Sequence, residues 1–163
     1  MKLDIKIRKE ESANMREEEY DYLHEYGFSA IDIDKIEKEN EDMFYTDISE
    51  VRKNITFLEE KYLESEDIIN IINDNPFMLT EKNNRLEALD DIYNGILSFD
   101  YESLKTLIKN NPEAYTVSPI ELNKIINHMK EIGYSIDIIK QFILKNSKVI
   151  SMSYDTFLKV IKS

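Results

Sequence analysis

The sequence predicts an all-α protein, a solenoid of four helix-pair repeats with about eight or nine helices. Three observations predict this fold class: similar segments recur at a nearly constant interval, apolar residues recur at helical spacing, and cap and stop residues take the same place in each copy. Glycine and proline, the residues that most often interrupt helices, occur only three times each in 163 residues. Long helices are therefore allowed along most of the chain.

The period is set by four short segments that read alike. They begin at Gly27, Tyr62, Ser98 and Gly133, which lie 35, 36 and 35 residues apart. An asparagine follows thirteen residues after each starting point, and apolar residues follow six, nine and seventeen residues after it. The repeats are therefore predicted over residues 12–45, 46–80, 81–117 and 118–152, with a closing helix over 153–162.

The last copy indicates how each repeat divides into two helices. Ser118 and Pro119 favour a helix start, and Glu121 is placed to complete a capping box. Gly133 is predicted to end that helix, because glycine reaches the left-handed conformation at little cost. Ser135 is then predicted to cap the second helix of the pair.

The other copies carry variants of the same signals. Ser29 is predicted to cap the second helix of the first copy and Asp100 that of the third. In the second copy Ser65 is predicted to be the cap, one residue later than in the others. The repeated asparagine is predicted to be a C-terminal cap or turn residue. Pro76 and Pro112 follow it directly in two copies, where a helix cannot continue.

Two groups of side chains outside the helix signals also carry predictions. Leu3, Ile5 and Ile7 alternate with polar residues, which predicts an extended arm, an edge strand or a dimer contact over residues 1–11, ahead of a single helical domain over 12–163. Six aromatic residues fall at repeat-core positions and are predicted to be buried. They are Tyr62, Tyr93, Phe99, Tyr115, Phe142 and Phe157.

Charge and composition limit the classes of function. The net charge is −12, with −10 on residues 1–66 and +3 on residues 120–163. Such a field repels phosphate over most of the chain. The absence of cysteine removes disulfides and thiolate metal sites, and no apolar run approaches the roughly 20 residues of a membrane span. We expect a cytoplasmic protein with no membrane partner.

No enzyme site is predicted. The two histidines, His24 and His128, fall in different repeats, and no nucleophile motif or phosphate-binding glycine loop is present. Asp32 and Asp34 start like a calcium loop, but the glycine that such a loop requires does not follow. We therefore expect no catalytic residue, no metal and no cofactor.

Two stretches resemble the repeat of the mitochondrial transcription termination factor (mTERF) family. They run over residues 58–79, with the Asn75-Pro76 stop, and over residues 129–150. The resemblance covers roughly residues 20–163. It implies antiparallel helix pairs joined by a short 3₁₀ turn, stacked into a curved solenoid that binds nucleic acid along a basic concave surface. The sequence departs from this pattern in its acidity and in having Glu41 and Ser147 where two of the stops would carry proline.

These observations predict a non-enzymatic macromolecule-binding module. The favoured partner is a protein with a basic surface, which the acidic, tyrosine-bearing N-terminal half would bind. In the sharpest form of this hypothesis, the chain is an inhibitor that mimics the charge of nucleic acid. Its candidate residues are Glu17, Glu18, Glu19, Tyr20, Asp21, Tyr22, Glu25, Asp32 and Asp34. The alternative is mTERF-like nucleic-acid binding by the C-terminal repeat. It would use Lys124, Lys130, Lys140, Lys145 and Lys148, without base-specific reading because no arginine follows Arg85.

Overall fold

A computed structural model describes residues 17–162, and this part of the chain contains nine α-helices and no strand. The predicted all-α class with paired helices is confirmed, while the predicted arm over residues 1–11 lies outside the described residues. The helices are α1 (residues 17–26), α2 (Ala30–Glu39), α3 (Ile48–Glu59), α4 (Ser65–Asp74), α5 (Asn83–Asp90), α6 (Tyr101–Asn110), α7 (Pro119–Glu131), α8 (Ile136–Lys145) and α9 (Tyr154–Lys162).

Short turns of tighter or wider helix follow several of these elements. The 3₁₀ helices Glu41–Tyr45, Pro76–Thr80 and Ser147–Ser151 come after α2, α4 and α8. A π-helical segment, Asp91–Ile96, extends α5. We call the three 3₁₀ segments the stop turns, because each follows the repeated asparagine.

The chain divides between Glu81 and Lys82 into two compact units. This point lies one residue from the predicted boundary between the second and third repeats, so each unit holds two repeats. In the N-terminal unit α2 packs on α4, and the first stop turn packs on the second. In the C-terminal unit α6 packs on α8 and α5 packs on α7.

Apolar residues at the repeat positions form the core of each unit. Ile33 and Ile36 of α2 are buried, as are Leu104 and Leu107 of α6 and Ile139 of α8. Burying one such side chain contributes about 1.5–3 kcal/mol relative to leaving it in water. The helical spacing read from the sequence therefore identified the residues that hold neighbouring repeats together.

Most of the predicted helix starts are confirmed. The side chains of Ser29, Asp100, Ser118 and Ser135 each accept a hydrogen bond from a backbone N–H in the first turn of the helix that follows. Such a cap contributes about 1 kcal/mol. These signals are local, so the sequence alone could identify them.

Two of the predicted caps were wrong. Helix α4 starts after Glu64, without a side-chain cap, and Ser65 is its first helical residue. The carboxylate of Glu121 does not return to Ser118; its Oε2 accepts a 3.0 Å hydrogen bond from the backbone N–H of Tyr154 at the start of α9. Glu121 therefore bonds to the N–H of Tyr154 in another helix instead of the nearby N–H of Ser118.

All four repeat starting points have a positive φ angle: 130° at Gly27, 61° at Tyr62, 52° at Ser98 and 106° at Gly133. The left-handed turn is thus a property of the repeat, even where glycine is absent. The predicted burial of Tyr62 was wrong, since its side chain is 63% exposed.

The other aromatic predictions are mostly confirmed. Tyr93 and Tyr115 are buried against each other edge to face, with ring centroids 5.3 Å apart. Phe99 and Phe157 are buried as well, whereas Phe142 is only half-buried. Phe142 lines a groove between the end of α8 and α9.

Each repeated asparagine caps the C-terminus of its helix, as predicted. Within both units its amide also reaches the next repeat. Nδ2 of Asn40 donates to the backbone oxygen of Pro76 and to Oγ1 of Thr80, both at 3.0 Å. Nδ2 of Asn111 donates to the backbone oxygen of Ser147 and to Oγ of Ser151, both at 2.9 Å. Asn40 and Asn111 therefore each join their own repeat to the stop turn of the next repeat.

The left-handed turn predicts opposite effects for two glycine substitutions. Gly133→Ala should destabilise the protein by about 1–2 kcal/mol, because alanine is strained at this φ although its methyl group meets no atom within 4 Å. Gly95→Ala is the control, with equally open space and no positive φ, and it should be neutral or stabilising by up to about 1 kcal/mol. Urea unfolding measures both, and equal effects would contradict this role of the turn.

The asparagine links predict a second pair of effects. Asn40→Ala should lower the free energy of unfolding by about 2–3 kcal/mol, since it removes the two hydrogen bonds that the buried Nδ2 donates and the one that Oδ1 accepts from the backbone N–H of Asp42, and leaves the oxygen of Pro76 without this donor. Asn146→Ala should cost less than about 0.5 kcal/mol, because the exposed Asn146 donates only to Phe142 of its own helix. Thermal and chemical unfolding of the two variants should rank them in this order.

Candidate functional site

Four of the predicted acidic-surface residues lie together in one groove of the N-terminal unit. Glu18, Asp21, Tyr22 and Glu25 line it from α1, opposite Ile48, Ser49 and Arg52 of α3. Their spacing of three and four residues places them on one face of α1. We call this groove the acidic groove.

Arg52 and Tyr22 meet at the wall of the acidic groove. The guanidinium carbon of Arg52 lies 4.9 Å from the centre of the Tyr22 ring, within the range of a cation–π contact. Burial raises the pKa of the Tyr22 hydroxyl, and the nearby carboxylate of Glu59 acts in the same direction. Tyr22 is therefore a neutral hydrogen-bonding group in the groove at neutral pH, with a cation beside it.

Glu19 does not belong to the binding surface for which it was predicted. Its side chain is only 5% exposed, and Oε1 has no hydrogen-bond partner. Leu23, one helical turn later on the same side of α1, is buried with it. Sequence reasoning grouped Glu19 with its neighbours by charge, whereas the helical spacing places it on the inner face.

Burial changes the acid strength of Glu19. Removal from water raises the pKa of its carboxyl to about 8. The nearby negative charges of Glu37, Glu18 and Asp47 raise the pKa further, and the effect of Glu37 is the largest of the three. Glu19 is thus largely protonated at neutral pH, and it does not contribute a full negative charge to the surface.

The two predicted residues of α2 are engaged in local structure. The carboxylate of Asp32 accepts a 3.0 Å hydrogen bond from the backbone N–H of Ser29 and completes a capping box, which lowers the pKa of Asp32. Asp34 forms an ion pair with Lys38 at 2.8 Å. The exposed Tyr20 of α1 stacks on His24, with ring centroids 5.9 Å apart. The acidic surface is therefore concentrated on α1, where Glu17 is also exposed.

The predicted lysines are dispersed over the C-terminal unit. Lys124 and Lys130 are exposed on α7. Lys140 is held in the fold, because its Nζ donates a 2.8 Å hydrogen bond to the backbone oxygen of Ser98. Lys145 and Lys148 line a common groove, at the end of α8 and in the stop turn that follows.

The division into units separates the charge. Residues 1–81 carry 10 Lys and Arg against 23 Asp and Glu, a net charge of −13. Residues 82–163 carry 11 against 10, a net charge of +1. The acidity of the chain thus belongs to the N-terminal unit alone, a contrast that the whole-chain value conceals.

Both histidines contact aromatic side chains of the chain. Nδ1 of His128 lies 3.0 Å from the hydroxyl of Tyr154, and its ring packs on Phe157, so it links α7 to α9. Residues 17–162 contain no group of three potential metal ligands. No helix in this range has the length and apolarity needed to cross a membrane.

Comparison with known proteins gives one family match. The model of the mTERF family matches residues 20–162, which is most of the chain. No curated protein gives a significant match.

The buried carboxyl predicts a pH-dependent stability. The pKa of Glu19 is raised from 4.5 to about 8 on folding, so the native state binds more protons than the unfolded state between these values. The free energy of unfolding should therefore fall as pH rises from about 5 to about 8. Glu19→Gln should remove this dependence and stabilise the protein at pH 8, on the order of 1–3 kcal/mol.

Urea unfolding between pH 5 and 8.5 measures the effect. Glu18→Gln, at the exposed neighbouring position, is the matched control and should keep most of the wild-type pH profile. A profile that Glu19→Gln leaves unchanged would show that Glu19 is ionised in the native state.

Proposed function

We propose that this chain, which belongs to the mTERF family, is a non-enzymatic binding module whose N-terminal unit binds a protein with a basic surface. The observation that carries the proposal is the acidic groove, where Glu18, Asp21 and Glu25 converge beside Tyr22. Three carboxylates on one helical face offer closely spaced acceptors for lysine and arginine side chains.

The charge of the N-terminal unit supports this proposal. A net charge of −13 on residues 1–81 attracts a basic surface over about a Debye length, and it repels phosphate. Proteins that bind nucleic acid present such basic surfaces. The sharpest form of the proposal is an inhibitor that occupies the nucleic-acid site of its partner with carboxylates in place of phosphates.

Aromatic side chains supply apolar contact area to the proposed interface, in addition to the charged groups. Tyr20 is 37% exposed on α1, and Tyr22 lines the groove with its ring against Arg52. Tyrosine combines a large apolar ring with a hydroxyl and is enriched among the residues that dominate protein interfaces. The charges would guide the encounter and fix its orientation, and the tyrosines would slow dissociation.

Nucleic-acid binding by the C-terminal unit is the second candidate function. Family membership favours it, because mTERF proteins generally bind nucleic acid, and so does the charge of +1 on residues 82–163. Lys124, Lys130, Lys145 and Lys148 are exposed, whereas Lys140 already donates to Ser98. Four phosphate contacts give a salt slope of about −3.6 on duplex DNA, which corresponds to weak binding without sequence preference.

Two charge variants test the first candidate. The partner is recovered from a nuclease-treated native lysate, identified and purified, and its affinity is then measured by calorimetry. Changing Glu18, Asp21 and Glu25 to Lys should weaken binding at least tenfold, or about 1.4 kcal/mol. The matched control changes Glu87, Asp91 and Glu131 to Lys, which alters the net charge equally in the other unit and should weaken binding less than about threefold.

Duplex binding tests the second candidate on the same proteins. A labelled short DNA duplex is titrated at about 50 mM salt, where phosphate contacts are strong. We expect no binding by the wild type. Binding that is lost when Lys124, Lys130 and Lys148 are changed to Glu, and kept in the acidic-groove variant, would overturn the first proposal in favour of the second.

A further inference from the structure

The last repeat leaves exposed the positions that earlier repeats bury against a neighbour. Asn40 and Asn111 are 0% and 7% exposed, because each reaches into the stop turn of the repeat that follows in its unit. Asn146, at the same place in the fourth repeat, is exposed, and its amide turns back 3.1 Å to the backbone oxygen of Phe142. The donor that joins repeats elsewhere is therefore exposed in the fourth repeat.

An apolar groove lies beside Asn146. It has a volume of about 560 Å³ and runs between the end of α8, the last stop turn and α9. Its apolar wall includes Phe142, whose counterparts Ile36 and Leu107 are fully buried in their repeats. Lys145 and Lys148 stand at its rim. Neither lysine forms an ion pair with any described residue.

The first repeat offers the complementary feature. In the second and fourth repeats, the first and fifth residues of the stop turn accept hydrogen bonds from the asparagine side chain of the preceding repeat. In the first repeat these positions are Glu41 and Tyr45, and no described asparagine of the chain donates to them. Tyr45 is 83% exposed, and Asp42 between them is exposed as well.

We propose that the groove of the fourth repeat binds the first stop turn of a second copy of this chain, head to tail. Asn146 would donate to the backbone oxygen of Glu41 of the second copy, as Asn40 and Asn111 donate within their units. Lys148 occupies the same place in its stop turn as Asp42, so packing of turn on turn brings the lysine beside the carboxylates of the second copy. The positive charge of Lys145 and Lys148 at the groove and the negative charge of Glu41 and Asp42 on the first stop turn favour this copy over an apolar helix of another kind.

The contact is heterologous, because the two copies use different surfaces. A pair of associated copies still presents one free groove, on one copy, and one free first stop turn, on the other, so the assembly grows with concentration unless it closes into a ring. The surface differs from the acidic groove on α1, so the proposal stands independently of the function proposed above. Charge reversal of Glu18, Asp21 and Glu25 should leave self-association intact.

The absence of cysteine in the chain allows a direct test by cross-linking. Within the two units the amide of the asparagine lies 3.0 Å and 2.9 Å from the hydroxyl of the fifth turn residue, so cysteines at the corresponding positions of two copies would be neighbours in the proposed contact. Asn146→Cys mixed with Tyr45→Cys under mild oxidation should give a cross-linked heterodimer. Asn146→Cys mixed with Ile120→Cys, an exposed site on α7, should not.

Sedimentation velocity over a concentration series gives the second measurement. Lys148→Glu should weaken self-association at least tenfold, and mixing it with Asp42→Lys should restore the heterologous contact between the two variants. A wild-type protein that stays monomeric at millimolar concentration would overturn the proposal. Cross-linking of Asn146→Cys mainly to itself would also overturn it, because it would indicate a symmetric contact.

Discussion

The dependence of each helix pair on a neighbour is the constraint from which the structure of both units follows. Two antiparallel helices expose an apolar face that they cannot bury between themselves, and only a second pair removes it from water. Ile33 and Ile36 are buried because α2 packs on α4, and Leu104 and Leu107 are buried because α6 packs on α8. Hydrogen bonding follows the same rule, since the asparagine of one repeat completes its bonds in the stop turn of the next.

The features that the sequence could predict are those set within a few residues. Ser29, Asp100 and Ser135 cap their helices through N–H groups three residues away, so their role is visible in the local pattern. The repeat period was equally accessible, because four copies provide an internal comparison. Boundaries and caps thus needed no knowledge of which element packs on which.

The features that escaped prediction depend on contacts distant in sequence. Glu121 was assigned to Ser118, three residues away, but it accepts a hydrogen bond from Tyr154, thirty-three residues away. Glu19 was grouped with exposed acids, and only the packing of α1 revealed its burial. The candidate surface could be predicted only in part, for the same reason. The charge pattern indicated the α1 segment, but only the folded structure shows that Glu18, Asp21 and Glu25 line one groove with Arg52. A shared fold carries over to this family member more directly than a shared binding surface does.

The asparagine links also determine how a chain of this kind can change in length over evolution. The bonds of Asn40 and of Asn111 span the same 36 and 40 residues along the chain. Duplication or deletion of a whole repeat keeps that spacing for every remaining asparagine. An insertion of a few residues inside a helix shifts the amide away from its carbonyl and rotates the apolar stripe out of the core. Recombination that exchanges complete repeats is therefore the route by which such a gene could lengthen or shorten without loss of folding.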